Sequence, residues 1–334
     1  MERFVMEVVA GIDLGGTETK FGLVNRDGVL LASGSIPTRP VSDYRAFFDR
    51  LCRTLEKEIS GLKEEVVLSA IGIGAPTGNN ITGKIERAVN LEWPDQVPVA
   101  AILSDWFHVP VVVSNDANAA ARGELHYGEG VGLHDLVCIT LGTGLGCGII
   151  SGGRLLTGSG GLAGELGHVT AIPDGRPCSC GQMGCLETYV SATGIVRTVR
   201  EMDPMKLKNS ILGDLESDGL TSKAIADAAR QGDHLAQEVF DFTGKILGRA
   251  LADVVALLNP QRIVITGGVV QAGDLLLTPL THYLNHYLLH MYKGTVDIKL
   301  SSSIHNQTQL LGAAAFAWEK LGIIGETSAD TLAR

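Results

Sequence analysis

The feature that most constrains this chain is a motif that occurs twice. Val8-Val9-Ala10-Gly11-Ile12 reads as a buried strand and Asp13-Leu14-Gly15-Gly16-Thr17 as a tight glycine loop. Phe21-Gly22-Leu23-Val24 and Val29-Leu30-Leu31 then form a hairpin around Asn25-Arg26-Asp27-Gly28. The same order returns as the strand Leu136-Val137-Cys138-Ile139, the loop Leu141-Gly142-Thr143-Gly144 and the strand Gly148-Ile149-Ile150. Leu14-Gly15 aligns with Leu141-Gly142, and one single-residue gap brings Gly22-Leu23-Val24 onto Gly148-Ile149-Ile150. A duplicated strand, loop and hairpin predicts two similar α/β halves facing one another, with the glycine loops at the cleft.

The rest of the chain fits that plan. A helix is expected from Ser42 to Ile59, where Phe47, Leu51 and Leu55 repeat at four-residue steps, and a strand from Val66 to Ile73. Val109 to Val113 is a strand ending at Ser114-Asn115-Asp116, which can cap the Ala-rich helix Ala117 to His126. Further helices are expected over Lys245–Leu258 and Leu311–Leu321, with the strand Arg262–Ile265 and the turn Thr266-Gly267-Gly268 between them. At 334 residues about two domains are expected. They are drawn as 1–116 plus 311–334, a smaller domain closed by the C-terminal helix, and 117–310, a larger domain with the cysteine loop.

Charge narrows the partners. Lys and Arg number 27 against 37 Asp and Glu, a net −10, which repels phosphate backbones and anionic lipid. No nucleic-acid or membrane partner is expected. Neither a signal peptide nor an 18-residue apolar run is present, so the reading is cytoplasmic. Six cysteines in such a chain do not suggest a disulfide framework.

Three motifs carry chemistry. In the first, backbone N–H groups of Gly15, Gly16 and Thr17 can wrap phosphate oxygens, while Asp13 can hold Mg²⁺ through water. Gly142, Thr143 and Gly144 repeat the arrangement, and Gly267-Gly268 follows a later strand closely enough to pass a nucleotide. The P-loop signature is absent, and Gly142-x-Gly144-x-Gly146 enters a strand rather than a helix, which excludes the dinucleotide fingerprint. In the second, Cys178, Cys180 and Cys185 need a fourth ligand for tetrahedral Zn²⁺, and His168, ten residues upstream, is the nearest candidate. Four protein ligands make that site structural. In the third, Asn115-Asp116 is either a plain helix cap or a carboxylate that accepts a hydroxyl proton beside an orienting amide. A helix N-terminus would hold Asp116 ionised and make it a weak base, which suits a loose phosphoryl-transfer transition state. Glu165 and Glu187 flank the cysteine loop, where a metal would fix their positions.

These residues together resemble the ROK family of bacterial sugar kinases and repressors. The match runs through Asp13-Leu14-Gly15-Gly16-Thr17, Asn115-Asp116, Leu141 to Gly146, Glu165-x-Gly-His168, the Cys178–Cys185-x-Glu187 block and Thr266-Gly267-Gly268. The resemblance implies two ribonuclease-H-like domains of the actin/hexokinase ATPase type around a cleft. It implies that the glycine loops hold ATP and Mg²⁺, that Asp116 is the general base, and that Asn115, Asp116, Glu165, His168 and Glu187 bind the sugar. His168 would then serve zinc and sugar with its two ring nitrogens. The implied reaction is ATP-dependent phosphorylation of a hexose, glucose first, at its 6-hydroxyl, by a homodimer or homotetramer.

Two departures bear on the substrate. Gly74-Ala75-Pro76-Thr77-Gly78 is one residue longer than the family's usual turn. Asn79 to Trp93 borders the place where the family's sugars present their C2 and C3 substituents, which leaves an N-acetylmannosamine or N-acetylglucosamine kinase as the alternative. A sugar-responsive regulator of the same family is a further alternative. Against it stand the acidic balance and a first strand that begins within about eight residues of Met1, where such regulators carry a helix-turn-helix domain.

Overall fold

Strand β1 (Met6–Leu14) alternates, and the alternation decides what covers each face of the first sheet. Ala10, Ile12 and Leu14 join one buried cluster with Phe47, Phe48 and Leu51 of helix α1 (Tyr44–Gly61). Val9 joins another with Leu310, Ala314 and Trp318 of the C-terminal helix. The computed structural model from which these contacts come describes residues 5–39, 43–88, 91–215, 219–302 and 308–323.

Around β1 lie β2 (Glu18–Val24), β3 (Leu30–Pro37), β4 (Val66–Ala75) and, beyond three short strands, β8 (Val111–Asn115). The short strands β5 (Gly78–Asn79), β6 (Lys84–Glu86) and β7 (Gln96–Val97) form their own small sheet, followed by helix α2 (Val99–Phe107). The main order is β3-β2-β1-β4-β8. The hairpin strands β2 and β3 run antiparallel, and β4 and β8 run parallel to β1. The second sheet repeats this order with β9 (Leu136–Leu141), β10 (Leu145–Ser151), β11 (Arg154–Leu155), β12 (Arg262–Thr266) and β13 (Asp297–Leu300), as β11-β10-β9-β12-β13. Here too the hairpin is antiparallel and the later strands pair in parallel, with Val137 opposite Ile263 and Ile263 opposite Ile298. The sequence repeat is therefore one part of a five-strand structural repeat.

Helix α3 (Asp116–Tyr127) follows β8. Helices α4 (Glu187–Val190), α5 (Ala192–Glu201), α6 (Pro204–Lys208), α7 (Ser222–Arg230), α8 (His234–Leu258) and α9 (Asp274–Tyr287) belong to the second half, and α10 (Thr308–Lys320) returns to the first. The expected helix at Lys245 begins eleven residues earlier, because Asp233 caps it through the Ala236 N–H at 2.9 Å. No helix among the described residues is long and apolar enough to cross a membrane.

Two compact units result, 1–134 with 148–163 and 302–334, and 135–147 with 164–301. The first unit thus takes in 117–134, 148–163 and 302–310, all of which the sequence division had placed in the larger domain. The reason is packing between α3 and α10. A Cβ on Gly312 would lie 1.6 Å from the Ala119 carbonyl oxygen, and one on Gly123 would lie 2.2 Å from that of Thr308. At so close an approach the two helices cannot belong to separate bodies. A buried ion cluster adds to the contact, with Glu319 of α10 accepting from Arg122 at 3.1 Å and lying 2.8 Å from His126 of α3.

Candidate active site

In the first unit, the sheet order places the ends of β1 and β8 on either side of β4. Asp13 stands opposite Gly74 on β4, and Gly74 stands opposite Ser114 on β8. A side chain on Gly74 would lie 3.6 Å from the Asp116 Cα and 3.0 Å from the Ala119 Cβ, so its absence is what lets the N-terminus of α3 pack there. Burial raises the Asp13 carboxyl to about 6, the negative charge of Asp116 adds to the rise, and Lys20 opposes it. Asp116 is raised too, because burial outweighs the N–H it accepts from Ala117 at 2.8 Å. This corrects the expectation of a weakly basic Asp116. Helix-terminus stabilisation is present, but desolvation exceeds it and makes the group a better proton acceptor.

Asn115 caps α3 with Oδ1, which accepts from Ala117 at 2.7 Å and from Asn118 at 3.3 Å. Its side-chain NH₂ has no partner among the described residues, so the cap occupies only the amide oxygen. In the first glycine loop the Gly15 N–H donates to the Glu18 carbonyl at 3.1 Å, and the Thr17 carbonyl accepts from Thr38 at 2.8 Å. Gly16 and Thr17 keep their own N–H groups without a protein acceptor among the described residues.

The second unit is built the same way at Gly142, Thr143 and Gly144. Their carbonyls are tied down: Ala192 N–H donates to Gly142 at 2.9 Å, and the Thr193 hydroxyl donates to Thr143 at 2.8 Å. The N–H groups of Thr143 and Gly144 are left without a protein acceptor among the described residues, an arrangement suited to an anion. A Cβ on Gly142 or Gly268 would meet nothing within 4 Å, so packing gives no reason for glycine at either position. Gly267 differs. Its φ is 97°, and a Cβ there would strike the Leu141 carbonyl oxygen at 2.5 Å, which makes it the joint between β12 and the end of β9.

Beside this loop, the ligand atoms of His168, Cys178, Cys180 and Cys185 all lie within 4.8 Å of one another. The Cys180 and Cys185 sulfurs are 3.6 Å apart, and the Cys178 sulfur is 3.7 Å from His168 Nδ1. Glu187 joins the cluster to the glycine loop. Its Oε1 accepts from Cys178 at 3.2 Å, and its Oε2 accepts the Leu145 N–H at 3.4 Å. Glu165 is exposed and lies 3.9 Å from His168 Nε2, on the ring edge away from the thiols.

Sequence reasoning missed Arg176. It is buried, stacks on the Tyr189 ring with its guanidinium 4.4 Å from the centroid, and donates to Glu201, Thr188, Gly194 and Thr198. It pins the cysteine loop to α4 and α5, which carry Glu187 and the anchors of the second glycine loop. Only its position two residues before Cys178 could have drawn notice. In the 79–93 stretch, Asn79 is spent on Glu86 and the Gly160 carbonyl, and Trp93 packs on Phe47 with ring centroids 5.1 Å apart. Residues 89 and 90 lie outside the described residues.

The sequence profile of the ROK family matches residues 9–320. The chain belongs to the ROK family. Within it, the chain is 38% identical to the glucokinase of Halalkalibacterium halodurans over 306 residues, covering 90% of this chain and 92% of that one. The ROK glucokinase of Streptomyces griseus, solved with glucose and AMPPNP, is 34% identical with a TM-score of 0.77, covering 93% and 99% of the two chains. Regulators of the family are more distant: the N-acetylglucosamine repressor of Escherichia coli is 29% identical, over 91% of this chain and 74% of that one. The repeated five-strand sheet is the mixed α/β architecture of the solved ROK sugar kinases.

Proposed function

We propose that this ROK protein is an ATP-dependent kinase that phosphorylates glucose at its 6-hydroxyl. The likeness to glucokinases across the whole ROK region supports the substrate class. The observation that carries the chemistry is Asp116, a carboxylate with raised proton affinity at the N-terminus of α3 beside the uncommitted amide of Asn115. Asp116 accepts the proton of the 6-hydroxyl as O6 bonds to the γ-phosphorus of ATP, and the bond from that phosphorus to the β,γ-bridging oxygen breaks to release ADP. The N–H groups of Gly16, Thr17, Thr143 and Gly144 bind phosphate oxygens, and Gly267 and Gly268 border the nucleoside.

Mg²⁺ fits Asp13, a carboxyl raised to about 6 by burial beside another carboxylate, which is a place that calls for a counter-charge. When bound it neutralises phosphate charge. Zn²⁺ fits the four converged donors, since two thiolates on one tetrahedral zinc stand roughly 3.8 Å apart. Its contribution is positional: it holds His168 with Nε2 turned toward Glu165, and His168, Glu165, Glu187 and Asn115 bind sugar hydroxyls.

Asp116→Asn is expected to lower kcat by about 10²–10⁴-fold in a coupled ADP assay while leaving the circular dichroism spectrum unchanged. Near-normal turnover would remove Asp116 as the base. The same assay with glucose, mannose, N-acetylglucosamine and N-acetylmannosamine is expected to give the highest kcat/KM with glucose. A preference for either acetylated sugar would select the alternative substrate class.

A further inference from the structure

The second glycine loop is held from one short junction, and that junction is held by one side chain. Ser191 joins α4 to α5, and the two residues after it, Ala192 and Thr193, bond the Gly142 and Thr143 carbonyls. Arg176 Nη1 donates to carbonyls on either side of the junction, Thr188 at 2.6 Å and Gly194 at 3.2 Å. Nη2 donates to Thr198 Oγ1 at 2.9 Å, one turn along α5, and Nε donates to Glu201 at 2.8 Å. Three nitrogens in one rigid plane thus fix the bend between the two helices.

The same contacts reach Glu187. Thr188 follows it directly, so holding the Thr188 carbonyl sets where the Glu187 carboxylate stands against the Leu145 N–H. Little room is left there, since a Cβ on Gly144 would lie 2.8 Å from Glu187 Oε2. The main chain of Arg176 is held as well: its carbonyl accepts from the Gly184 N–H at 2.7 Å, and its N–H donates to the Tyr189 hydroxyl at 2.8 Å. A buried cation adds little net stability, because desolvation cancels much of its attraction. What a planar donor set adds is direction.

We propose, on the kinase reading given above, that Arg176 is a positioning residue for both substrates. Through the α4–α5 junction it sets the N–H groups of Thr143 and Gly144 for phosphate and the Glu187 carboxylate for the sugar, and it touches neither substrate. Nucleotide and sugar thereby share one support within the second unit.

Steady-state kinetics of the full-length protein with glucose and ATP, together with calorimetric titration of AMPPNP, test this. Arg176→Ala is expected to raise both KM values and the Kd for AMPPNP about tenfold, with a smaller fall in kcat. Loss of folded protein alone would lower kcat and leave both KM values unchanged. Guanidinium chloride at non-denaturing concentration is expected to restore much of the lost affinity, whereas Arg176→Lys, with a single nitrogen, restores little. Arg197→Ala removes a different donor to Glu201 and is expected to leave both KM values unchanged. Thr198→Val takes one acceptor from the guanidinium and keeps the charge, so it carries the test if Arg176→Ala does not fold. It is expected to raise both KM values by a smaller factor, and unchanged values would overturn the proposal. So would Arg176→Ala with unaltered KM and Kd, or with a loss that guanidinium does not rescue; both outcomes leave the kinase reading standing. A parent protein that neither binds AMPPNP nor turns over sugar would overturn the two together.

Discussion

Asp13 carries a cost to the fold that its buried position explains. Its carboxyl titrates at about 6 rather than the usual 3.8, so the folded protein holds a proton there that the unfolded chain has already lost. Stability therefore falls as pH rises through that window, and the full cost is present above pH 6. Two pKa units amount to up to about 3 kcal/mol. Asp13→Asn is expected to stabilise the metal-free protein by roughly 1–3 kcal/mol at pH 8, with the gain shrinking toward pH 5, as read by urea unfolding at the two pH values. An equal effect at both would mean that burial of the charge is not the cause. Asp13 stood out in the sequence because it ends a buried strand before two glycines. Its coupling to Asp116 did not, because the two are separated by more than a hundred residues and meet only through the sheet order.

At the scale of elements, glycine has two roles that the sequence writes identically. Gly72 of β4 supports helix packing: its Cβ would lie 1.7 Å from the Ala313 carbonyl oxygen of α10. Gly142 has nothing within 4 Å. Gly72→Ala is expected to destabilise the protein by about 1–3 kcal/mol or more, because backbone must move to admit the methyl group. Gly142→Ala is expected to leave stability within about 0.5 kcal/mol and to raise KM for ATP. Denaturant unfolding and steady-state kinetics on the pair read the two roles apart, and a stability loss at Gly142 would return it to packing.

The cysteine loop is the other element of consequence. Its thiols are brought together by Arg176 and by turns such as the Cys178 N–H to the Gln182 carbonyl at 2.9 Å. Elemental analysis is expected to find about one zinc per chain, and Cys178→Ser to lose it together with sugar turnover. A metal-free protein that is stable and active would refute the structural-zinc reading. The convergence of the four donors was legible in the sequence, because His168, Cys178, Cys180 and Cys185 lie within a short span of the chain. The Arg176 clamp was not, because its five partners lie on two consecutive helices, α4 and α5, and meet the guanidinium only once those helices fold back onto the cysteine loop.

For the whole molecule, the strand, loop and hairpin visible twice in the sequence proved to be the first three strands of a five-strand sheet built twice. The later strands of each sheet, β4 and β8, then β12 and β13, carry little recognisable repeat and are matched only by pairing. The unit boundary followed helix contacts rather than chain order, since α3 and α10 pack through Gly123 and Gly312 although nearly two hundred residues separate them. By itself, the sequence determined the repeat, the glycine loops, the set of four clustered donors His168, Cys178, Cys180 and Cys185, and the helix that Asn115 caps. All of these depend on residues close together along the chain, where spacing and geometry are nearly the same thing. The tertiary structure alone decided the proton affinities of Asp13 and Asp116, the bridge that Glu187 makes to Leu145, and which glycines pack and which stand open. Desolvation and close approach depend on what distant segments bring to one place, and no local pattern records that.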